Sequence, residues 1–368
     1  MMKIVKPTLL LDEERCKRNI KKIAEKAKAN NVIFRPHFKT HQSKAIGKWF
    51  KNEGTVAITV SSLGMASYFA DAGWKEITIA FPCNILQIDL INKLAKKVRL
   101  NLLVDNHEVI KLLNSQLSHA VNIYVEIDTG KGRTGVKADD KDLIIDLLTN
   151  IDGNKFTKVK GLYLHAGHSY ECRNKESIMD VYQDSISHLA ELKDLTKDKF
   201  PNFEICYGDT PTCSVIDKFE NINALSPGNL VFYDLMQEQI GACTENDIAV
   251  AVACPVVSIN KLKNQVCIYG GAIHFSKEAL VVNGVPLYGK VVKLTKKGWS
   301  PILKDCNVTG LSQEHGLVSM TDNEMGKLKV GDVLGVLPVH SCLTAECLGE
   351  YLTLNGRFLD HYSKKKHA

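Results

Sequence analysis

The fold of this chain is decided by residues 34–41, which read Phe34-Arg35-Pro36-His37-Phe38-Lys39-Thr40-His41. The apolar residues just before Arg35 are typical of a β-strand, and Pro36 ends that strand because proline cannot donate to a sheet ladder. The chain then exposes Lys39 between two histidines. Neighbouring cationic groups favour the neutral form of a lysine amine, which is the nucleophilic form. Lys39 is therefore either an amine nucleophile or an ordinary solvated lysine.

Short apolar runs alternate with amphipathic segments from residue 12 to about residue 235. Several runs are apolar on both faces, as strands of a parallel sheet buried under helices are. Helical periodicity is found at residues 12–30, 108–117 and 139–148. The predicted strands cover residues 32–35, 56–60, 77–81, 99–104, 121–127, 158–164, 203–207 and 222–225. This order predicts an α/β fold with a (β/α)8 TIM-type barrel over residues 1–240, and a doubly wound sheet is the alternative.

The pattern changes after about residue 240. Strand-like runs at residues 249–259, 265–269, 287–294 and 333–339 are linked by Gly, Asn and Lys turns, with no long helical stretch between them. The sequence therefore predicts a separate β-strand-rich C-terminal domain over residues 241–368. The first residues of the chain are candidates to join it.

Composition narrows the class of protein. The formal net charge of +6 is spread along the chain, apart from residues 364–366, Lys364-Lys365-Lys366, which we interpret as a solvated terminus. Eleven cysteines without CxxC pairs favour reduced thiols in a cytoplasmic enzyme. Residues 1–6 lack the apolar run of a signal peptide, and no segment approaches the ~20 apolar residues of a membrane span. We expect a soluble protein that binds neither nucleic acid nor a membrane.

Two motifs follow the fifth and sixth predicted strands. Residues 126–136 contain three glycines, which allow tight turns, and Arg133, whose forked guanidinium can donate paired hydrogen bonds to an anion. Alone, such a loop is equally consistent with a surface turn. In residues 161–170, Tyr163 and His165 lie two apart and so face the same side of a strand. Four polar rings crowd this segment, which is unusual for packing alone.

Turn-forming residues follow the seventh and eighth predicted strands, at residues 207–212 and 226–229. Barrels of this kind commonly bind phosphate there, with loop N–H groups and small hydroxyls. Two ordinary turns would have a similar composition. The residues that would form the phosphate site are Gly208, Thr210, Gly228 and Asn229.

A metal pair is indicated in the C-terminal part. On an extended segment His340 and Cys342 would point the same way, and imidazole with thiolate favours zinc. Zinc takes three or four protein ligands in most sites. Water, substrate or a distant residue such as His315 would complete the shell.

Together these motifs resemble the fold-type III pyridoxal-phosphate enzymes, in particular the D-serine dehydratase and D-threonine aldolase family, whose barrel is shared with alanine racemase. The resemblance covers nearly the whole chain. Residues 35–41 resemble the family's Schiff-base lysine segment, and His340 with Cys342 resemble its metal pair. The resemblance implies that His165 packs on the cofactor ring. The full set of residues predicted to bind pyridoxal 5'-phosphate is Lys39, Arg133, Tyr163, His165, Tyr170, Gly208, Thr210, Gly228 and Asn229.

The resemblance also implies a reaction. Lys39 would anchor the cofactor and remove the Cα proton, while zinc, or manganese or another divalent metal, would assist loss of the β-hydroxyl. In this family the dehydratases tend to carry H-x-C and the aldolases H-x-D, so Cys342 favours dehydration of a D-amino acid such as D-serine or D-threonine to keto acid and ammonia. Aldol cleavage to glycine and an aldehyde is the first alternative, and a non-catalytic cofactor carrier is another. A head-to-tail homodimer is also implied.

The sequence departs from the family at several positions. The racemase branch has an arginine at the position of Ser226, and no segment matches the one that supplies its tyrosine base. Both differences argue against a racemase. Gln42 stands where a lysine is common, and Val339 where an asparagine is. These two changes indicate a divergent subfamily, so the cofactor is more firmly implied than the substrate.

Overall fold

The structure is a computed structural model that describes residues 3–362, so residues 364–366 of the predicted basic tail lie outside it. Its strands are β1 (Thr8–Leu11), β2 (Ile33–Phe34), β3 (Ala57–Val60), β4 (Glu76–Pro82), β5 (Arg99–Val104), β6 (Val121–Asp128), β7 (Val136–Lys137), β8 (Thr157–His165), β9 (Glu204–Gly208), β10 (Ala224–Leu225), β11 (Val250–Asn260), β12 (Gln265–Tyr269), β13 (Leu280–Val282), β14 (Val285–Leu287), β15 (Gly289–Thr295), β16 (Gly298–Trp299), β17 (Asn307–Leu311), β18 (His315–Ser319), β19 (Val333–Pro338), β20 (Tyr351–Thr353) and β21 (Phe358–Leu359). Its α-helices are α1 (Glu13–Ala29), α2 (Lys44–Asn52), α3 (Leu63–Asp71), α4 (Ile88–Ala95), α5 (His107–Gln116), α6 (Lys141–Asp152), α7 (Lys175–Thr196), α8 (Thr210–Val215), α9 (Leu235–Ile240), α10 (Ala272–Phe275), α11 (Asp322–Met325) and α12 (Ser341–Leu348).

Eight parallel strands form the predicted barrel. They pair in the order β2-β10-β9-β8-β6-β5-β4-β3, and β7 adds to β6. An isolated parallel bridge between His37 and Thr59 joins the two ends of this order. Each of the eight predicted strands agrees with an observed one to within two residues at either end. The (β/α)8 prediction is confirmed, and the doubly wound sheet is wrong.

A buried ion network ties several barrel strands together. The guanidinium of Arg35, only 1% exposed, pairs with Glu204 and donates to Glu76 at 2.9 Å and to the hydroxyl of Tyr124 at 2.8 Å. Lys160 adds a second cation 2.8 Å from Glu204. Glu76 and Glu204 are the first residues of β4 and β9. The charge of Arg35, just after β2, is therefore neutralised by carboxylates at the N-terminal ends of β4 and β9.

The chain divides into two compact units, residues 21–228 with Tyr362 and residues 3–20 with residues 229–361. In the second unit β11, β12, β18, β17, β15 and β19 pair in a closed ring of six strands. The first strand, β1, extends this sheet by pairing antiparallel with β11 and parallel with β20. No helix in residues 3–362 is both long and apolar enough to cross a membrane.

Replacing Glu204 by Gln tests the ion network, because it removes a charge and keeps the side-chain shape. Burial raises the pKa of Glu204, but Arg35 and Lys160 outweigh it and lower this pKa to about 2. Loss of one partner of a buried pair is expected to cost about 3–5 kcal/mol of unfolding free energy near neutral pH. Because the folded-state pKa lies below the unfolded one, the wild-type advantage is full above about pH 4.5 and is lost as the pH falls toward 2.

Urea unfolding near neutral pH and again at about pH 3 measures both effects. Glu220→Gln, at an exposed carboxylate, is the control and should change the unfolding free energy by less than about 0.5 kcal/mol. Equal urea midpoints for wild type and Glu204→Gln near neutral pH would contradict the assignment.

Candidate active site

Lys39 lies on a tight turn directly after β2. The N–H of Gln42 donates to the carbonyl of Phe38 at 2.9 Å, and Gln42 itself has the left-handed φ of 46°. Its side-chain amide donates to the carbonyl of Lys39 at 3.2 Å. The glutamine that departs from the family pattern is thus a structural part of the lysine turn. Positive φ values in larger residues are strained and concentrate at functional sites.

Aromatic packing anchors this turn on both sides of Lys39. The rings of Phe38 and His41 are fully buried, with centroids 4.4 Å apart. Phe38 also packs edge-on against Trp74, and His41 stacks on Phe50. Lys39 is exposed between these two buried neighbours. His41 is therefore held beside the lysine turn by aromatic packing.

Two histidines, the buried His37 and the half-buried His165, lie near Lys39, and the pKa of each is lowered. Burial, followed by the charges of Lys39 and Arg133, lowers the pKa of His165 to about 3. Burial and the charge of Lys39 also place the pKa of His37 well below its usual range. The Nδ1 atom of His37 accepts the backbone N–H of Lys39 at 3.3 Å. These imidazoles are thus aromatic and polar groups rather than cations.

His165 connects the end of β8 to the predicted phosphate loop. Its Nδ1 lies 3.1 Å from the carbonyl of Gly208, so Nδ1 carries the hydrogen and donates. The ring of Tyr170 lies 6.0 Å from the ring of His165. The Tyr170 hydroxyl accepts the backbone N–H of Thr210 at 3.4 Å. The structure therefore brings four of the predicted site residues together.

Tyr163 lies deeper in the barrel than the sequence suggested. It is 4% exposed and packs in the interior with Tyr124. Its hydroxyl donates to Ser226 at 3.1 Å, and Ser226 donates to the hydroxyl of Thr59 at 2.8 Å. At the position where the racemase branch has an arginine, this protein has Ser226. Its hydroxyl belongs to a series of hydrogen-bonded hydroxyls that links β8, the residue after β10, and β3.

Gly228 packs directly against the lysine turn. A Cβ atom at this position would lie 2.9 Å from the carbonyl oxygen of His37 and 3.0 Å from Oγ1 of Thr40. Contacts that short force one of the two segments to move. Because Gly228 has no side chain, the segment that carries Lys39 can lie this close to it.

Arg133 lies exposed on the glycine-rich loop after β6. Its charge acts on the buried carboxylate of Glu126, whose pKa burial raises and whose Oε1 accepts the hydroxyl of Thr134 at 2.9 Å. It also acts on His37 and His165. Arg133 thus belongs to the electrostatic surroundings of the two histidines near Lys39, and its role in binding an anion stays a prediction.

Asp209, between Gly208 and Thr210, was missed as an electrostatic feature because its sequence context indicated only a turn. It is 1% exposed, and its Oδ1 accepts the N–H of Thr212 at 2.6 Å as the N-cap of α8. Burial raises the pKa of Asp209 to about 6.

These residues fit pyridoxal phosphate. Lys39, Arg133 and Lys131 all act as positive charges on His165, so the C-terminal end of the barrel is electropositive and suits a phosphate. The neutral ring of His165 can pack on a pyridine ring without adding charge. The backbone N–H of Thr210 donates to the hydroxyl of Tyr170 at this end of the barrel. Lys39 supplies an amine for an imine bond.

His340 and Cys342 are neighbours, but not on an extended segment. His340 is the N-cap of α12, and Cys342 lies in the first turn of that helix, so the extended geometry was wrong. Burial lowers the pKa of His340, but its hydrogen bond with Cys342 and the charges of Asp234 and Glu278 raise it to about 9. An imidazole next to a thiol forms a pair that a divalent metal can deprotonate and bind.

The rest of a metal shell is not found nearby. Within residues 3–362 no group of three or more His, Cys, Asp or Glu side chains is arranged to hold a metal ion. His315 lies exposed on β18, paired with Tyr269. The Nδ1 atom of His340 is buried without a hydrogen-bond partner among the described residues, which leaves it available to a ligand. The pair therefore fits a metal that keeps positions open for water or substrate.

Asn229 was predicted in the phosphate site, and its side chain makes different contacts. The amide nitrogen lies 2.6 Å from Asp234, 3.2 Å from the hydroxyl of Ser341 and 3.5 Å from the sulfur of Cys342. Its role in phosphate binding stays a prediction for its backbone. Asp234 was missed because Asp234-Leu235-Met236-Gln237 is a common helix-start pattern.

The barrel and its lysine-centred site define a fold-type III pyridoxal-phosphate enzyme. Residues 11–235 match the alanine racemase N-terminal domain family, and residues 249–354 match the putative serine dehydratase domain family. The chain belongs to the alanine racemase N-terminal domain family, in its D-serine dehydratase and D-threonine aldolase branch, and is a pyridoxal-phosphate-dependent lyase.

Two relatives illustrate the similarity. The chain is 27% identical to the D-serine dehydratase of Dictyostelium discoideum, over 98% of this chain and 96% of that one. It is 26% identical to the D-threo-3-hydroxyaspartate dehydratase of a Delftia strain, over 95% of this chain and 93% of that one. The solved structure of the Delftia enzyme covers 98% of each chain with a TM-score of 0.88. A D-threonine aldolase from Filomicrobium marinum shares the fold with a TM-score of 0.82 at 20% identity, over 97% of this chain and 94% of that one.

Gly228→Ala should disturb the cofactor site. The added methyl group must displace the backbone at His37 or the side chain of Thr40, at a cost of about 1–3 kcal/mol. We therefore expect cofactor binding to weaken by about 10–100-fold, measured by titrating apoprotein with pyridoxal phosphate and following the visible absorbance. Gly153→Ala is the control, because Gly153 has a φ of −70° and its nearest contact would be 3.8 Å away. Wild-type cofactor affinity in Gly228→Ala would show that the close approach has no role.

Asp209→Asn should stabilise the protein at alkaline pH. The folded-state pKa of about 6 lies above the reference value of 3.8 for an unfolded chain. The protein thus loses stability as the pH rises through this range, and the loss is complete above about pH 6. Asparagine keeps the cap on Thr212 without the charge. We expect a gain of about 1–3 kcal/mol at about pH 8 that vanishes near pH 4, measured by urea unfolding at both values. A gain that does not depend on pH would contradict this reading.

Proposed function

We propose that this chain is a metal-dependent lyase that dehydrates a β-hydroxy D-amino acid, such as D-serine or D-threonine, to the keto acid and ammonia. The supporting observation is the placement of His340 and Cys342 together at the start of α12, in a chain similar over 98% of its length to a D-serine dehydratase. One solved structure of a D-threo-3-hydroxyaspartate dehydratase is that of a cysteine-to-alanine mutant in the metal-free form.

Lys39 would hold the cofactor through its amine and would take the substrate Cα proton at Nζ. Its turn is anchored by Phe38 and His41, so the exposed amine starts from a fixed backbone. The neutral amine is the form able to accept this proton. Bound pyridoxal phosphate supplies an electron sink for the charge left at Cα.

Other residues would bind and orient the cofactor. His165 would pack on its ring, with its orientation fixed by the hydrogen bond to the carbonyl of Gly208. Gly208, Thr210 and Gly228 would form the phosphate site, and Arg133 would add a positive charge. Tyr163, hydrogen-bonded to Ser226, would close the barrel below the site and exclude water.

His340 and Cys342 would hold the metal, for which we propose zinc, because a thiolate with an imidazole favours it over magnesium or calcium. Such a metal supplies a Lewis acid for departure of the β-hydroxyl. Loss of water and hydrolysis of the released enamine then give keto acid and ammonia. Elemental analysis of purified protein, with recovery of turnover after chelation and addition of zinc or manganese, tests the metal.

Aldol cleavage is the second candidate, because aldolases are among the relatives. A 3-hydroxy-D-aspartate aldolase of Paracoccus denitrificans is 25% identical over 91% of this chain. This reaction would use the same lysine and metal and would break the Cα–Cβ bond. Against it, the relatives matched over 95% or more of this chain are dehydratases.

Product analysis on D-threonine separates the two reactions. We expect 2-oxobutanoate and ammonia from the metal-reconstituted protein, whereas glycine and acetaldehyde would support aldol cleavage. Lys39→Ala should abolish turnover and the visible absorbance of the lysine-bound cofactor, a loss of at least about 1,000-fold in kcat. Lys48→Ala, at an exposed lysine of α2, is the matched control and should behave as wild type. Persistence of the absorbance in Lys39→Ala would overturn the assignment of Lys39.

We also propose a homodimer in the cytoplasm. The dimer is supported by the family resemblance and is tested by light scattering. The compartment is supported by the eleven cysteines, all of which are free thiols, as expected where disulfides do not form. Localisation of a tagged protein in cells tests it.

A further inference from the structure

One carboxylate connects the segments around the proposed metal pair. Asp234 is 1% exposed, and its Oδ1 accepts the N–H of Gln237 at 3.0 Å as the N-cap of α9. Its Oδ2 accepts the N–H of Ser341 at 2.9 Å, the hydroxyl of Ser341 at 3.1 Å and the amide of Asn229 at 2.6 Å. A single buried side chain thus receives four hydrogen bonds from three different residues.

The residue held by Asp234 is the one between the two proposed ligands. Ser341 separates His340 from Cys342. Its N–H lies at the start of α12, where backbone N–H groups have no partner within the helix. Fixing that N–H fixes the backbone from which both ligand side chains extend. Asn229 extends the network to the ligand itself, because its amide nitrogen also lies 3.5 Å from the sulfur of Cys342.

The backbone before Asp234 is strained, which indicates that its position is maintained at a cost. Tyr233 is a buried aromatic residue with a φ of 47°, a conformation that bulky residues rarely adopt. Its N–H donates to the carbonyl of Asn229 at 2.8 Å. Strain of this kind persists only where surrounding contacts impose it.

We propose that Asp234, with Asn229, is the positioning residue that orients His340 and Cys342 for a divalent metal. This inference rests on the proposed function, because it assigns the support of the same metal pair. Partners that orient metal ligands commonly change metal affinity by about 10–100-fold when they are removed. Asp234 is not itself a ligand on this view, since both of its oxygens are engaged by N–H and O–H donors.

Asp234→Asn is the diagnostic variant. An asparagine oxygen can still cap α9, but its NH₂ group would face the amide of Asn229 and both donors of Ser341, so donors would oppose donors. Asp140→Asn is the matched control, because Asp140 caps α6 through the N–H of Leu143 at 3.3 Å. Ser341→Ala is the second variant: it removes the hydroxyl and keeps the backbone N–H.

The measurement is Cd²⁺ affinity of the purified full-length proteins, read from the ultraviolet charge-transfer band of a metal-bound thiolate. We expect Asp234→Asn to bind about 10–100-fold more weakly, Ser341→Ala to bind a few-fold more weakly and Asp140→Asn to bind as wild type. Turnover of Asp234→Asn should return at high zinc concentration, which a folding defect would not allow.

The outcomes separate this inference from the proposed function. Wild-type Cd²⁺ affinity in Asp234→Asn, with a normal thiolate band, would overturn the positioning role and leave the metal pair intact. Absence of the band in the wild-type protein would overturn both proposals. If Asp234→Asn does not fold, Ser341→Ala decides: unchanged affinity overturns the inference, and a few-fold loss supports it.

Discussion

Neutralising one guanidinium inside the barrel is the constraint on which the rest of this structure depends. Arg35 has no access to water, so its charge must be balanced by carboxylates from other strands. Glu76 and Glu204 provide that balance and thereby set β4 and β9 against the end of β2. A slip of one strand by one residue would leave a buried charge without a partner.

The same short segment carries the reactive lysine. Within residues 35–41, Arg35 makes ionic contacts, and Phe38 and His41 make aromatic contacts. Lys39 is the one exposed residue of this segment. Gly228 lies on the other side of the segment, so close that an added Cβ atom would be 2.9 Å from the carbonyl oxygen of His37. The chemistry of the site therefore depends on residues that need not touch a substrate, since they fix where the amine starts.

The electrostatics of the barrel mouth follow from burial. The pKa values of His37 and His165 are lowered because both side chains are desolvated beside Lys39 and Arg133, and the pKa of Asp209 is raised because it is desolvated as well. Lysine and arginine thus carry the local charge near neutral pH. This suits a doubly charged phosphate next to an amine that must be able to lose its proton.

Sequence reasoning predicted what depends on local pattern. Buried parallel strands are continuous apolar runs, so all eight barrel strands were found, and the helix at residues 12–30 followed from its periodicity. The Arg35 network was beyond reach because Arg35 and Glu204 are 169 residues apart and each resembles a surface charge. Asp234 escaped for a similar reason, since its role appears only once α12 lies beside α9. The helical start at Ser341 was missed because the sequence reads as one strand over residues 333–339, with His340 as its continuation. In the structure β19 ends at Pro338.

The pairing of β1 has a consequence for how the polypeptide is made. Residue 8 pairs with residue 253, and residue 10 with residue 352, so the sheet joins strands that are synthesised far apart in time. Contacts this distant in sequence form slowly, because a long loop must be closed before they stabilise anything. On the ribosome the barrel strands are complete long before β20 emerges, and β1 waits with open hydrogen-bonding edges. A nascent chain of this protein therefore carries an unpaired, aggregation-prone strand at least until β11 emerges, and binding of β1 by a chaperone would protect it.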